Sequence, residues 1–105
     1  MDAKEANERL DEIYLLDIRE PYEWAVGHIE AAVHVPMGQL AARRSELPTD
    51  SLIVCVCRSG SRSAMVTNAL NSAGYKAENL EGGMLGWASR RLPIVTDEGE
   101  SGRVG

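Results

Sequence analysis

The chain alternates short apolar runs with polar, helix-favouring stretches. Leu52-Ile53-Val54-Cys55-Val56 is the strongest run. It lacks polar alternation, which predicts a strand covered on both faces, as at the centre of a parallel sheet. Ile13 to Ile18 reads as a second buried strand, running out to a polar end at Asp17-Ile18-Arg19. Ala32 to Val35, stopped by Pro36, and Ala77 to Leu80 are two further short strands. The stretches between them suit helices. Residues 3–12 are rich in Ala, Glu, Lys and Arg. Glu23 to Val26 suits a helical turn, with Pro21 breaking the chain before it and Gly27 ending it. Met37 to Leu47 is helical in composition and ends at Pro48-Thr49-Asp50. From Arg62 to Ala73 the residues Met65, Val66, Ala69, Leu70 and Ala73 share one face at helical spacing, and Gly74 stands where a helix-ending glycine belongs. Gly82-Gly83 turns into a last helix through Trp87, stopped before Pro93. Strands alternating with helices predict an α/β domain: a central, mostly parallel sheet of about four to five short strands flanked by helices.

Composition narrows the function classes. The 105 residues make one domain, predicted to span 1–95, and the Gly-, Glu- and Ser-rich stretch 96–105 reads as a flexible tail. A formal net charge of -5 argues against nucleic acid and against anionic membrane surfaces as partners. The apolar run Leu52 to Cys57 is far too short to span a bilayer. Met1 to Glu5 has no apolar core, so it does not read as a signal peptide, and a cytoplasmic location is expected. Cys55 and Cys57 are separated by one residue, where a mutual disulfide would be badly strained; both are expected as free thiols.

Ligands of open α/β sheets bind at the carboxyl ends of strands. Three segments reach that end: Asp17-Ile18-Arg19, Cys57 to Arg62, and Leu80 to Gly83. The middle one reads strand, then Cys57-Arg58-Ser59-Gly60-Ser61-Arg62, then helix. Small residues let a loop turn its backbone N–H groups inward as an anion cradle, and the following helix points its positive end at the same spot. Arg58 and Arg62 add full charges. All three effects favour Cys57 as a thiolate. A free thiol with pKa about 8.5 is only about 3% ionised at pH 7; lowering it by about 2 units, roughly 2.7 kcal/mol, makes it mostly thiolate. Such a group suits attack on sulfane sulfur in an anion or on phosphorus in a phosphate ester.

The loop resembles the active-site loop of rhodanese domains. The resemblance extends through Leu15-Leu16-Asp17-Ile18-Arg19, Glu23-Trp24, Gly27-His28-Ile29, Ala32-Val33-His34-Val35-Pro36, Gly74-Tyr75, Leu80-Glu81-Gly82-Gly83-Met84 and Trp87. In family order it covers about Ile13 to Pro93, and the ordered set with Cys57 at its centre is highly specific. It implies a thiosulfate:cyanide-type sulfurtransferase. Cys57 would take sulfur from a small anionic donor, release sulfite, and hold a persulfide with no separate cofactor or metal. Cyanide, a thiol or a protein sulfur acceptor would then receive it. Loop amides from Arg58 through Ser59, Gly60, Ser61 and Arg62 to Ser63 would cradle the persulfide, and Arg58 and Arg62 would attract the anion. Asp17 and Arg19 would brace the site, and Gly82 and Gly83 would supply backbone geometry beside it. Four residues separate Cys57 from Arg62. Cysteine phosphatases, including those that share the rhodanese fold, have five there, and the smaller ring fits a sulfur atom better than a tetrahedral phosphate. A cysteine phosphatase or arsenate reductase on the same fold is the alternative enzyme; a binding module without catalysis is the other, and such modules usually lose the cysteine.

Departures from the family pattern are few. Ala31 stands where glycine is usual, at a cost of about 1 kcal/mol if that site needs positive φ. His34 stands where Asn is common. The family's short first strand would fall at or before Met1. Cys55 reads as core, His28 as a structural hydrogen-bonding residue rather than a metal ligand, and Arg43-Arg44 as a solvated helix face.

Overall fold

The computed structural model describes residues 1–105. Its elements are α1 (Ala3–Glu8), β1 (Ile13–Asp17), α2 (Pro21–Val26), β2 (Val33–His34), two 3-10 turns (Met37–Gln39 and Arg44–Glu46), β3 (Leu52–Val56), α3 (Ser61–Ser72), β4 (Ala77–Asn79) and α4 (Gly83–Ser89). The strands form one four-stranded sheet in the order β2-β1-β3-β4, parallel throughout. Asp17 pairs with His34 on one side and Val56 on the other, and Cys55 pairs with Asn79. Every strand therefore ends at the same edge. No helix is long and apolar enough to cross a membrane.

β3 is central and has a core on each face, as its unbroken apolar run predicts. Val54 and Val56 pack with Met1, Leu15, Leu80, Met84 and Trp87. Ile53, Cys55 and Cys57 pack on the opposite side with Leu16, Ile18, Val35, Val66 and Leu70. The period of two along a strand puts both thiols on the face covered by α3.

Four expectations change. Pro21 opens α2 instead of breaking the chain, since a proline at the first helical position lacks only an N–H that would be unpaired there anyway. Met37 to Leu47 is not one helix. Pro36 and Gly38 weaken its start, and the segment is anchored at both ends, by Met37 N–H on Ile18 O and by Leu47 in the core, so it closes as two tight turns. In α3 the buried face is Ser63, Val66, Thr67 and Leu70, while Met65, Ala69 and Ala73 are exposed and line an open apolar groove of about 440 Å³ with Met37, Leu40 and Tyr75. Ser63, on the face turned to the sheet, has its side-chain partners there, Cys57 and Asn79.

The fourth concerns 96–105, expected as a flexible tail. The segment folds back in backbone bonds: Thr96 N–H on Glu100 O, Gly102 N–H on Ile94 O, and Arg103 N–H on Val26 O. Gly102 crosses Gly27 so closely that a Cβ on Gly102 would lie 2.7 Å from Gly27 Cα. A glycine-rich composition that suggests disorder here permits a crossing that larger residues would block. Arg91 is the one non-glycine residue with positive φ, so Ala31 carries no such strain.

Candidate active site

The site begins where β3 stops. Beyond Val56 the chain leaves the sheet and re-enters regular structure at α3, whose N-cap is Gly60 with φ +105°. The first turn of any helix has N–H groups with no intrahelical acceptor. Here they meet sulfur. Cys57 Sγ accepts from Gly60 N–H (3.1 Å), Ser63 N–H (3.4 Å) and Ser63 Oγ (3.2 Å). Burial pushes the Cys57 pKa up, but these donors outweigh it: the Ser63 hydroxyl first, then the Ser63, Gly60 and Ser59 amides, leaving the thiol below its ordinary value. Ser61 is exposed at the helix start. Cys55, buried in mid-strand, shows the opposite balance: desolvation, only partly offset by the Thr67 hydroxyl, pushes it up to about 11.

α4 holds the loop from the other side. Met84 N–H donates to Cys57 O (2.9 Å) and Leu85 N–H to Arg58 O (3.0 Å). Gly83, at φ +55°, touches the same backbone; a Cβ there would lie 2.5 Å from Cys57 O and 2.7 Å from Arg58 O. Gly82, φ +77°, caps the helix. Both glycines stand where the sequence places them, beside the loop.

The two arginines of the loop each have a partner of their own. Arg62 makes its hydrogen bonds to a carboxylate rather than to the sulfur. Its two terminal nitrogens grip the Glu23 carboxylate at 2.8 and 2.9 Å, tying α3 to α2, and that bond raises the Arg62 pKa. Arg58 is exposed, with Nε on Gly105 O at 2.8 Å. Arg62's charge is thus compensated by Glu23, and the atoms in contact with Sγ are amide and hydroxyl donors.

Asp17 and Arg19 form a fully buried pair, with Arg19 Nη2 2.7 Å from Asp17 Oδ2. Arg19 also donates to Gly27 O (2.9 Å) and Glu23 O (3.4 Å), pinning the middle and the C-cap of α2 to the end of β1. Through Glu23 these contacts connect to Arg62. His28 and His34 stack on opposite faces of Trp24, at centroid distances of 3.6 and 4.7 Å. Their nitrogens meet Trp24 O and Arg19 O. Arg43 pairs with Glu46, and Arg44 lies over the Tyr75 ring.

Two residues of the site escaped sequence reasoning. Glu23 belongs to a quoted motif, but nothing in one dimension pairs it with Arg62. Asn79 was read only as strand. Its Nδ2 donates to Gly60 O (3.0 Å) and its Oδ1 accepts from Ser63 Oγ. Placing β4 parallel to β3 was the available signal, because that puts the end of β4 beside the cysteine loop.

Comparison with known proteins agrees with this architecture. The family model of the rhodanese-like domain matches residues 2–90. The putative sulfurtransferase YtwF of Bacillus subtilis is 42% identical over 90 residues, covering 86% of this chain and 87% of the relative. A sulfurtransferase of Allochromatium vinosum is 41% identical over 103 residues, covering 94% and 96%. Among solved structures, a rhodanese-related protein of Thermoplasma volcanium superposes with TM-score 0.86 at 28% identity, over 90% of this chain and 95% of that one. The fold and these relatives support sulfurtransferase activity in general terms, and the chain belongs to the rhodanese-like domain family.

Proposed function

We propose that the protein moves sulfane sulfur from thiosulfate or a persulfide donor to a thiophilic acceptor through a persulfide on Cys57. The observation that carries this reading is the ring of donors on Sγ: two N–H groups and a hydroxyl gathered on one sulfur at the end of the central strand. Donors of this kind stabilise a thiolate without occupying its line of attack with a carboxylate. In the first half-reaction the Cys57 thiolate attacks the outer sulfur of thiosulfate. The new S–S bond forms as the old one breaks, and its electron pair leaves with sulfite. The negative charge then rests on the outer sulfur of the persulfide, within reach of the loop amides from Arg58 to Ser63. In the second half-reaction cyanide or a thiolate attacks that outer sulfur, and the Cys57 thiolate departs. The sulfur travels on Cys57 itself, so the cycle uses neither metal nor separate cofactor, and a protein thiol in the same compartment, the cytoplasm, is a suitable acceptor.

The test is the mass of the protein after incubation with thiosulfate. A gain of one sulfur atom, lost in Cys57→Ser and reversed by cyanide, is the expected result. A folded protein that gains no mass from either thiosulfate or a small-molecule persulfide overturns the proposal.

A further inference from the structure

The hydrogen-bond roles around Ser63 leave one proton short. Gly60 O can only accept, so the Asn79 amide must present Nδ2 to it. Asn79 Oδ1, also acceptor-only, is thereby turned to Ser63 Oγ in a short contact. Cys57 Sγ lies 3.2 Å from the same oxygen, and as a thiolate it too only accepts. Ser63 Oγ carries a single hydrogen. Two acceptors compete for it.

We propose that Asn79 is a positioning residue that competes with the Cys57 sulfur for the Ser63 hydroxyl proton and so favours states in which negative charge has left Sγ. With the charge on Sγ the hydroxyl turns to sulfur, and Oγ and Oδ1 face each other with no hydrogen between them. With Sγ neutral, as a thiol or as the inner sulfur of a persulfide, the hydroxyl turns back to Asn79. The change is a rotation about the Ser63 C–O bond; no covalent bond breaks. The persulfide state rests on the sulfur-transfer reading above, while the competition at the thiol does not. It also gives Asn79 a second use, because its Nδ2 bond holds Gly60, whose own N–H serves the sulfur.

Titratable and charged groups near this cluster are the Arg62–Glu23 pair of α3 and α2, Arg58 on the loop, the buried Asp17–Arg19 pair at the end of β1, and the neutral thiol of Cys55 on β3. Behind Asn79 the Met1 amine donates to Asn79 O and pairs with Glu78 and Glu81. None of these hydrogen-bonds Ser63 Oγ, so the proton has only the two acceptors.

The experiment measures the alkylation rate of Cys57 by iodoacetamide against pH, with the label assigned by peptide fragmentation. Asn79→Leu and Asn79→Asp both remove the donor to Gly60, so a purely structural role raises the midpoint in both. The Asp carboxylate adds direct repulsion of the thiolate in either case, which leaves the sign for Asn79→Leu as the discriminating reading. Competition predicts opposite signs. Asn79→Leu frees the hydroxyl for sulfur and lowers the midpoint by about 0.5 to 1 pH unit, a roughly threefold to tenfold rise in the thiolate-to-thiol ratio. Asn79→Asp offers a stronger acceptor and raises it. In a Ser63→Ala background the Asn79→Leu shift disappears. Shifts of one sign, no shift in Asn79→Leu, or a shift that survives Ser63→Ala overturns the proposal. If Asn79→Leu does not fold, Asn79→Ala is judged by the same criteria. No sulfur donor is used, so a wild type that takes up no sulfur defeats the proposed function and leaves this result readable.

Discussion

Cys55 lies within β3 and Cys57 one residue past its end, on the same face of the sheet and in the same core cluster. Burial raises the pKa of both, and only Cys57 ends below its ordinary value. The difference lies in the donors around them: the Ser63 hydroxyl and three amides on Cys57, a single hydroxyl on Cys55. Inside the sheet, main-chain groups are engaged by the ladder; Leu80 N–H, for example, is bonded to Cys55 O. Beyond the strand end the chain turns into α3, whose first amides have no ladder and no preceding turn to bond. Two residues of displacement thus separate a group that is expensive to ionise from one surrounded by donors.

The largest effects should come from testing that contrast directly. Cys57→Ser should remove sulfur uptake and neutral-pH alkylation entirely. Cys55→Ala should retain both, at a stability cost of about 1 kcal/mol for the lost buried group. Competitive labelling of the wild type at pH 7 should mark Cys57 alone; comparable labelling of Cys55 breaks the comparison. Next is Gly83→Ala. Positive φ and a clash with the carbonyls of Cys57 and Arg58 together cost about 2–4 kcal/mol, or roughly 10–25 °C in Tm. Gly38→Ala, with nothing near its Cβ position, should leave Tm almost unmoved in the same thermal scan.

The parts of this contrast legible in sequence were those set by local pattern. An unbroken apolar run marked β3 as central, and a Cys followed by small residues and a helix marked the cradle. The placing of Asp17 and Arg19 at the end of a strand beside it was legible too. Non-local partners were not legible. Nothing in a one-dimensional pattern says that Arg62 bonds Glu23, or that Asn79 reaches Ser63. The sequence turns Met65 inward for a related reason: apolar spacing locates a stripe, but the bonds of Ser63 to Cys57 and Asn79 rotate α3 about it. The folded-back segment 96–105 was hidden by composition, since its bonds are to main chain and carry no side-chain signature.

A smaller effect sharpens how the donors are held in place. The Arg62 hydrogen bond keeps the Glu23 carboxyl below its ordinary range, against the cost of burial. A carboxyl lowered on folding stabilises the fold above its unfolded pKa, near 4.3, and loses that contribution as pH falls through the folded value. Glu23→Gln keeps an oxygen for the Glu20 N–H at the start of α2 and removes the charge. It should cost about 1–2 kcal/mol at pH 7, discounted for the partial exposure of Arg62, and progressively less below about pH 4. Urea unfolding of both proteins at the two pH values measures this. A gap that is constant with pH, or that widens in acid, contradicts the pairing.

The smallest effect asks whether full charge or oriented N–H groups make Cys57 different from Cys55. Arg58 is exposed, and its Nε is on Gly105 O. Its charge is screened within about 8 Å at physiological salt, whereas the Gly60 and Ser63 donors are buried against the sulfur. Arg58→Ala should therefore move the iodoacetamide midpoint of Cys57 by less than about 0.3 unit, because that reagent is neutral and the thiolate is held by its donors. Toward thiosulfate the same substitution should raise KM about twofold to fivefold with kcat unchanged, the mark of an interaction made equally in ground and transition states. Added salt should shrink the KM difference. If Arg58→Ala instead raises the alkylation midpoint by a full unit, the thiolate depends on the loop's charge, and the contrast between the two cysteines is electrostatic rather than a matter of which amides the end of a strand leaves free.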